Sequence, residues 1–432
     1  MKHYINGIRA FKAKFSDYME EVTSGFSMPE KKFCFDMVWG ILKGGDVLVS
    51  DVARAIDERI LDSTEKRLTR QLKRFCYSAL DDAVMKRAFS VFGQPYLTAI
   101  DESDIGKESS FAMEDLDSVR DGSKQGDVFH KGYHMTGIAA IGGSRRHVMG
   151  LMMNIYSTKS HGFLSVNEET QNALKRVFYV IGGRSATVTA DRGYDDEKFM
   201  NFVDSYQKHY VVRAKSNRKY TIGGERLPIG EIRFKGKYKQ EFLSADGRHM
   251  VLFSTGFIAG HPDIGHPIML ACEKAGEEHD ARVYITNRTD TSKSGVESAT
   301  KDYRRRWPVE EMFRFMKQEF RLEKYLVRNL NGMNCLSRFV TMATNLITEI
   351  AMEDGSALKR AISDSYRRFR SQEKKEELLA RFGKYGLELY RMKRGVQALL
   401  AHARSRPRPL QKVRRKVPRQ MTLEECIREN QV

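Results

Sequence analysis

Cysteine is sparse in this chain of 432 residues. The five residues, Cys34, Cys76, Cys272, Cys335 and Cys426, are scattered and form no Cys-x-x-Cys pair. That argues against a disulfide framework or a structural zinc site, and for a reducing compartment. No apolar run reaches the ~18 residues a membrane-spanning helix needs. No uninterrupted apolar stretch follows the N-terminal residues 1–6, which speaks against a secretory signal. Tryptophan occurs only at Trp39 and Trp307, and no internal repeat is evident. Acidic residues are missing from residues 391–419, which hold eleven Lys and Arg out of a net charge of +18. Such a stripe attracts a polyanion, nucleic acid being the commonest; the competing reading is a solubilising tail. Pro407, Pro409 and Pro418 interrupt any amphipathic helix there, so a membrane-surface role is disfavoured. Residues 404–419 are expected to stay flexible until they meet a partner.

The remaining composition is that of a globular chain, 41% hydrophobic and 30% charged, long enough for several domains. Residues 1–90 read as helical. Tyr4, Ile8, Phe11, Phe15, Tyr18 and Val22 recur at alternating intervals of four and three, the period of one helix face. Residues 48–75 predict two helices joined by a turn, with Ser50 capping the first and an Asp62/Glu65 capping box opening the second. Lys66, Arg67, Arg70, Lys73 and Arg74 crowd that second helix. It reads either as a recognition helix for a DNA groove or as the basic outer surface of a small bundle.

After Gly93 the pattern turns to strands. Residues 96–100 predict a short strand ending at Asp101. Residues 133–140 and 147–156 predict a β-hairpin around Gly142, Gly143, Ser144 and Arg145. A helix over 167–181, a strand over 186–190 ending at Asp191, a helix over 195–206 and a strand over 209–213 complete a mixed sheet with helices on its faces. Two acids thus follow separate strands, where open α/β sheets usually place ligands. Residues 215–288 read as a β-rich insertion, with a hairpin turn at residues 245–248. Helical patterns resume beyond Thr291 and persist to about residue 404.

Tyr303, Arg306, Glu310 and Lys317 fall within an arc of about 60° on an ideal helix. A carboxylate flanked by cations suits a site holding a metal ion and a phosphodiester together; the plainer reading is a solvated face with ion pairs. Glu311 falls at about 80° on the same wheel, off the face, which selects Glu310. Asp101, Asp191 and Glu310, with no His or Cys cluster nearby, suit hard divalent ions, Mg²⁺ or Mn²⁺. Asp101 and Asp191 could equally be turn or cap residues after strands, and Glu102, Asp104, Asp195 and Glu311 are rival carboxylates.

The combination resembles the DDE transposases of bacterial insertion sequences, in the branch with the signature Tyr-x2-Arg-x3-Glu-x6-Lys. Residues 303–317 match that signature in type and spacing, Ile100-Asp101-Glu102-Ser103 looks like the first-acid motif, and Ala190-Asp191-Arg192-Gly193-Tyr194 like the second. The resemblance covers roughly residues 96–328. It implies an RNase H-like core interrupted by a β-strand insertion before the last acid. The corresponding division is a helical DNA-binding domain (1–90), the core's first part (91–214), the insertion (215–288), the core's final helix (289–330) and a helical, basic C-terminal region (331–432). It implies metal-dependent cleavage at transposon ends and strand transfer into target DNA, with Asp101, Asp191 and Glu310 as catalytic residues and metal ligands. Tyr303, Arg306 and Lys317 would hold phosphates and the distorted DNA end, with Trp307 beside them. The implied partners are double-stranded DNA, as terminal inverted repeats and target, and a second subunit in a homodimer on DNA, in a bacterial, nucleoid-associated cytoplasmic setting. A non-catalytic DNA-binding regulator and a structure-specific nuclease are the alternatives.

Two departures stand out. Pro308 lies inside the signature, so a helix starts there or is kinked; if it starts there, the shared face holds only for Glu310 and Lys317. Some relatives stack a flipped base on a tryptophan of the insertion, and this insertion has none. Phe234, Tyr238, Phe242 or Phe257 substitutes, or no DNA hairpin forms.

Overall fold

The computed structural model describes residues 2–56, 61–120, 128–142, 147–229, 238–243, 249–275, 281–368 and 374–410. Five helices come first: α1 (Lys2–Val22), α2 (Met28–Gly44), α3 (Val49–Ile56), α4 (Leu61–Arg74) and α5 (Ser78–Phe92). In α1 the periodic residues Phe11, Phe15, Tyr18 and Val22 are all buried. The entries to α3 and α4 differ from expectation. Ser50 lies inside α3, and Asp46 instead accepts from the Leu48 N–H just before it, at 2.9 Å. Asp62 lies within the first turn of α4 and pairs with Lys66 at 2.7 Å, so it does not act as the cap of a capping box. An acid in the first turn still complements the helix dipole, which gives the same sequence signal from a different position.

The core sheet contains β1 (Tyr96–Gly106), β2 (Asp117–Arg120), β3 (Phe129–Gly142), β4 (His147–Tyr156), β5 (Ala186–Ala190) and β6 (His209–Arg213), with α6 (Val166–Ile181) and α7 (Glu197–Ser205) between strands. β1, β5 and β6 run parallel; β3 is antiparallel to β1, β2 and β4. The spatial order β4–β3–β1–β5–β6 gives the RNase H-like mixed sheet. Two corrections apply to the strands. β2 has no counterpart in the sequence reading. β1 does not stop before Asp101 but continues to Gly106, because β3 pairs with it as far as Gly106↔Gly132 after the parallel pairing with β5 ends at Ile100↔Ala190. The loop of the β3–β4 hairpin, residues 143–146, lies outside the described residues.

Six more strands follow: β7 (Lys219–Ile222), β8 (Glu225–Pro228), β9 (Tyr238–Leu243), β10 (His249–His261), β11 (Ile264–Ala275) and β12 (Arg282–Thr286). This β-rich stretch extends the core sheet. β12 pairs antiparallel with β6 through Tyr284↔Arg213 and Ile285↔Val212, making one sheet of twelve strands. β9 and β10 form the expected hairpin, while its turn, residues 244–248, lies outside the described residues. The chain ends in α8 (Lys293–Arg304), α9 (Trp307–Glu319), α10 (Leu330–Met352), α11 (Ala357–Arg368) and α12 (Lys375–Leu400).

Alternating strand residues serve two cores. Leu97 and Ala99 face α9, α10 and the N-terminal helices, whereas Tyr96 and Ile100 face α5, α6 and α7. Helix α10 is buried along nearly its whole length and closes the outer edge of β4. Asn345 exchanges two 2.8 Å hydrogen bonds with the backbone of Gly150, and Asn334 does the same for Ile155 at 2.9 and 2.8 Å. Backbone groups that an uncovered edge strand would leave to solvent are thereby paired. Residues 404–410 are not loose. Arg406 Nε lies 2.5 Å from Asp36 Oδ1, and the Leu410 N–H donates to Glu20 at 2.6 Å. Residues 411–432 lie outside the described residues.

Candidate active site

The last parallel pair between β1 and β5 is Ile100↔Ala190. The residue after each partner is an aspartate, Asp101 within β1 and Asp191 just past the end of β5, so the two sit side by side at a strand spacing of about 4.8 Å. Asp191 also caps the turn that follows, accepting from the Gly193 N–H at 2.8 Å. The third acid arrives through packing. Asp101 is paired across the sheet with Gly137, and a Cβ on Gly137 would stand 2.2 Å from the Phe313 ring. The missing side chain lets α9 settle on β3. Glu310, one helical turn before Phe313, then comes down beside Asp101.

Arg306 links the two. Its guanidinium lies 3.5 Å from Asp101 and 2.5 Å from Glu310. The arginine is only 7% exposed, and its Nε and Nη1 find no hydrogen-bond acceptor among the described residues. Asp101 is pushed up to about 7, chiefly by burial and further by the charges of Glu310 and Asp191, while Arg306 pulls the other way. Glu102 rises to about 6 by burial and the nearby Asp191. Both openings beside this group are lined by Asp101 and Glu102. One of 230 Å³ continues along Asp191, Gly193 and Thr170, and one of 590 Å³ along Asp104, Glu310, Arg314 and Lys317.

The signature residues are not all on one helix. Tyr303 lies in the last turn of α8, Arg306 sits at the junction, and α9 begins at Trp307 with Pro308 in its first turn. Proline lacks the N–H that a continuous helix would use, and a first turn does not need it. Tyr303 still reaches the group: its ring lies 5.7 Å from the Arg306 guanidinium and 4.4 Å from the Tyr284 ring. Lys317 lies 3.6 Å from Asp104 and 3.4 Å from Glu323. Trp307 is 58% exposed at the head of α9.

Of the four rival acids, Glu102 and Asp104 stay at the openings and two are engaged elsewhere. Glu311 is buried and accepts the backbone N–H groups of Tyr385 and Gly386 at 2.7 and 3.1 Å, where α12 kinks at Gly383. Asp195 is buried, accepting from Lys215 N–H at 2.6 Å and pairing with Arg218. Both are structural. On α4, Lys66, Arg70, Lys73 and Arg74 are exposed, but Arg67 turns inward onto buried Asp36 at 2.7 Å. Of the insertion aromatics, Tyr238 packs under α8 with its hydroxyl on the Thr291 carbonyl, and Phe257 is half-buried against the sheet core. Phe242 falls in β9, and Phe234 lies outside the described residues. Sequence reasoning missed His130, which stands 3.1 Å from Asp104 in the larger opening. Only the β1–β3 register, Asp104↔His134, brings that part of β3 to the site.

As it stands, no group of three His, Cys, Asp or Glu side chains among the described residues is close enough to share a metal ion. The donor chemistry nonetheless fits a hard divalent cation. The acids are oxygen donors only, and the charge that now balances Asp101 and Glu310 belongs to a single arginine.

Residues 93–346 match the family model described as the transposase DDE domain, and the chain belongs to that family. A cryo-EM structure of the piggyBac transposase synaptic complex with hairpin DNA aligns over 98% of this chain and 82% of that one. Its TM-score is 0.42 and its identity 10%, too weak a likeness to bear on function. No curated protein matches the chain. No helix among the described residues is long and apolar enough to cross a membrane.

Proposed function

We propose that this transposase-family protein cuts DNA at transposon ends and joins the freed ends to target DNA, as a pair of subunits holding two ends. What supports the proposal is that Asp101 and Asp191 follow the last pair of two adjoining parallel strands, and that the buried Arg306 pairs with both Asp101 and Glu310. Asp101, Asp191 and Glu310 are the residues that would hold Mg²⁺ or Mn²⁺. Bound there, such ions would supply Lewis-acid activation of a water or 3′-hydroxyl and charge stabilisation at the leaving oxygen. Arg306, whose Nε and Nη1 have no hydrogen-bond acceptor among the described residues, is the group we assign to a phosphate oxygen once the site opens to DNA. Tyr303 orients that guanidinium, and exposed Trp307 offers a stacking surface to a displaced base. Lys317, at the other end of the acidic opening, stabilises charge near the scissile bond. The setting proposed is the bacterial cytoplasm, on the element's inverted repeats.

The test is cleavage of linear end DNA with Mg²⁺. Asp101→Asn, Asp191→Asn and Glu310→Gln should each retain DNA binding and lose cleavage by at least about 10²–10³-fold, the scale of a lost charge-stabilising group. Glu311→Gln, beside them in sequence, should lower the melting temperature yet leave cleavage by the folded protein intact. Unchanged cleavage in the three variants would end the proposal. The ion pairs that Arg306 now makes also favour a second reading, a DNA-binding regulator without catalysis. Wild-type protein that binds end DNA but never cuts it would select that reading.

A further inference from the structure

Away from the acids, a groove of 630 Å³ runs between the N-terminal helices and the segment after α12. It is lined by Lys43 at the end of α2, Arg54 on α3, and Arg404, Arg406 and Arg408 of the segment, with no carboxylate among the described residues that line it. Arg54 pairs with Asp51 and Arg406 with Asp36. Among the described residues, Lys43, Arg404 and Arg408 pair with no acid. Lys12 lies nearby, donating to Ser405 Oγ at 3.1 Å. Burial and the neighbouring Lys43 charge hold its ammonium below the usual lysine range. Like charges are thus gathered where a mobile tail could have spread them. Asp36 does the gathering. Buried on α2, it takes Arg406 on one oxygen and Arg67 of α4 on the other, tying the segment to the helix that exposes Lys66, Arg70, Lys73 and Arg74.

We infer that this groove is a second DNA contact, gripping the phosphate backbone of duplex flanking the cut site through Lys43, Arg404 and Arg408. The inference rests on the transposase reading above and adds a site that shares no lining residue with the openings at the acids. A polyanion suits it better than a small anion, because the basic run continues past the groove with Lys412, Arg414, Arg415, Lys416 and Arg419. The contact is to backbone and therefore independent of sequence.

The experiment titrates a fluorescent linear duplex with the full chain across a salt series. The triple variant Lys43→Ala/Arg404→Ala/Arg408→Ala should bind at least about 10-fold more weakly. Its slope of log affinity against log salt should be shallower by about 2–3, since each lost phosphate contact removes about 0.9. Its melting temperature should be unchanged. The charge-preserving variant Lys43→Arg/Arg404→Lys/Arg408→Lys should restore the slope. A triple variant within twofold of wild type, with an unaltered slope, overturns the groove while leaving the transposase reading intact. A charge-preserving variant as weak as the alanine triple also overturns it, because shape rather than charge would then be at stake. Wild-type protein that binds no duplex overturns both.

Discussion

At Lys107, at the end of β1, burial opposes charge. The side chain is 6% exposed, donates to the Glu323 carbonyl and to the Tyr325 carbonyl at 2.8 Å, and lies 3.6 Å from the Tyr325 ring. Burial lowers its pKa to about 8, with Glu323 resisting. Between that value and the unfolded lysine value of about 10.4, the unfolded chain binds more protons, so this group makes stability rise with pH. Wild type should therefore gain on the order of 1–3 kcal/mol relative to Lys107→Met between pH 7.5 and 10.5, measured by urea unfolding at each pH. A constant difference would show that the amine is not held out of water. Such a residue is invisible in the sequence, where it is one of many lysines. That Glu310 and Glu311 face different ways was visible, because adjacent helical residues point about 100° apart. The structure adds where Glu311 goes: its carboxylate accepts two backbone N–H groups at the α12 kink.

Among the elements, α9 and β3 set the geometry of the acids through one glycine. Phe313 occupies the space where a Gly137 side chain would be. Gly137→Val should push α9 off β3, costing about 1–3 kcal/mol of stability as an overpacked contact. It should also lower cleavage more than DNA binding, because Glu310 moves and the basic surfaces do not. Chemical denaturation and paired cleavage and binding assays check this; equal loss of both activities would point to general misfolding. Most helices and the two hairpins were legible, since period and turn residues are local signals. The break between α8 and α9 was foreshadowed by Pro308. The true end of β1 and the whole of β2 were not, because both depend on partner strands distant in sequence.

Across the whole molecule, Asp36 joins parts that the sequence presents as opposite ends. One buried carboxylate holds Arg67 and Arg406. Asp36→Ala should cost about 3 kcal/mol, the scale of breaking a buried ion pair, less what the partly exposed arginines recover from water. It should also expose residues 404–408 to trypsin before the rest of the chain unfolds, which a time course with mass spectrometry reads directly. Protection equal to wild type would mean the segment is held by other contacts. The N-terminal helices share a core with α9, α10 and α12, so strain at either end is felt by the helix that carries Glu310.

The order of residues alone determined the mixed α/β class, the helical ends, the transposase signature and which acids to suspect, because each is written in local period or fixed spacing. Folding in three dimensions decided what those residues face. It set Asp101 beside Asp191 through strand register, put Arg306 between Asp101 and Glu310, merged the insertion into the main sheet, and drew the head of the basic tail onto Asp36. These are contacts between segments tens to hundreds of residues apart, set by packing and burial, and no local pattern records them.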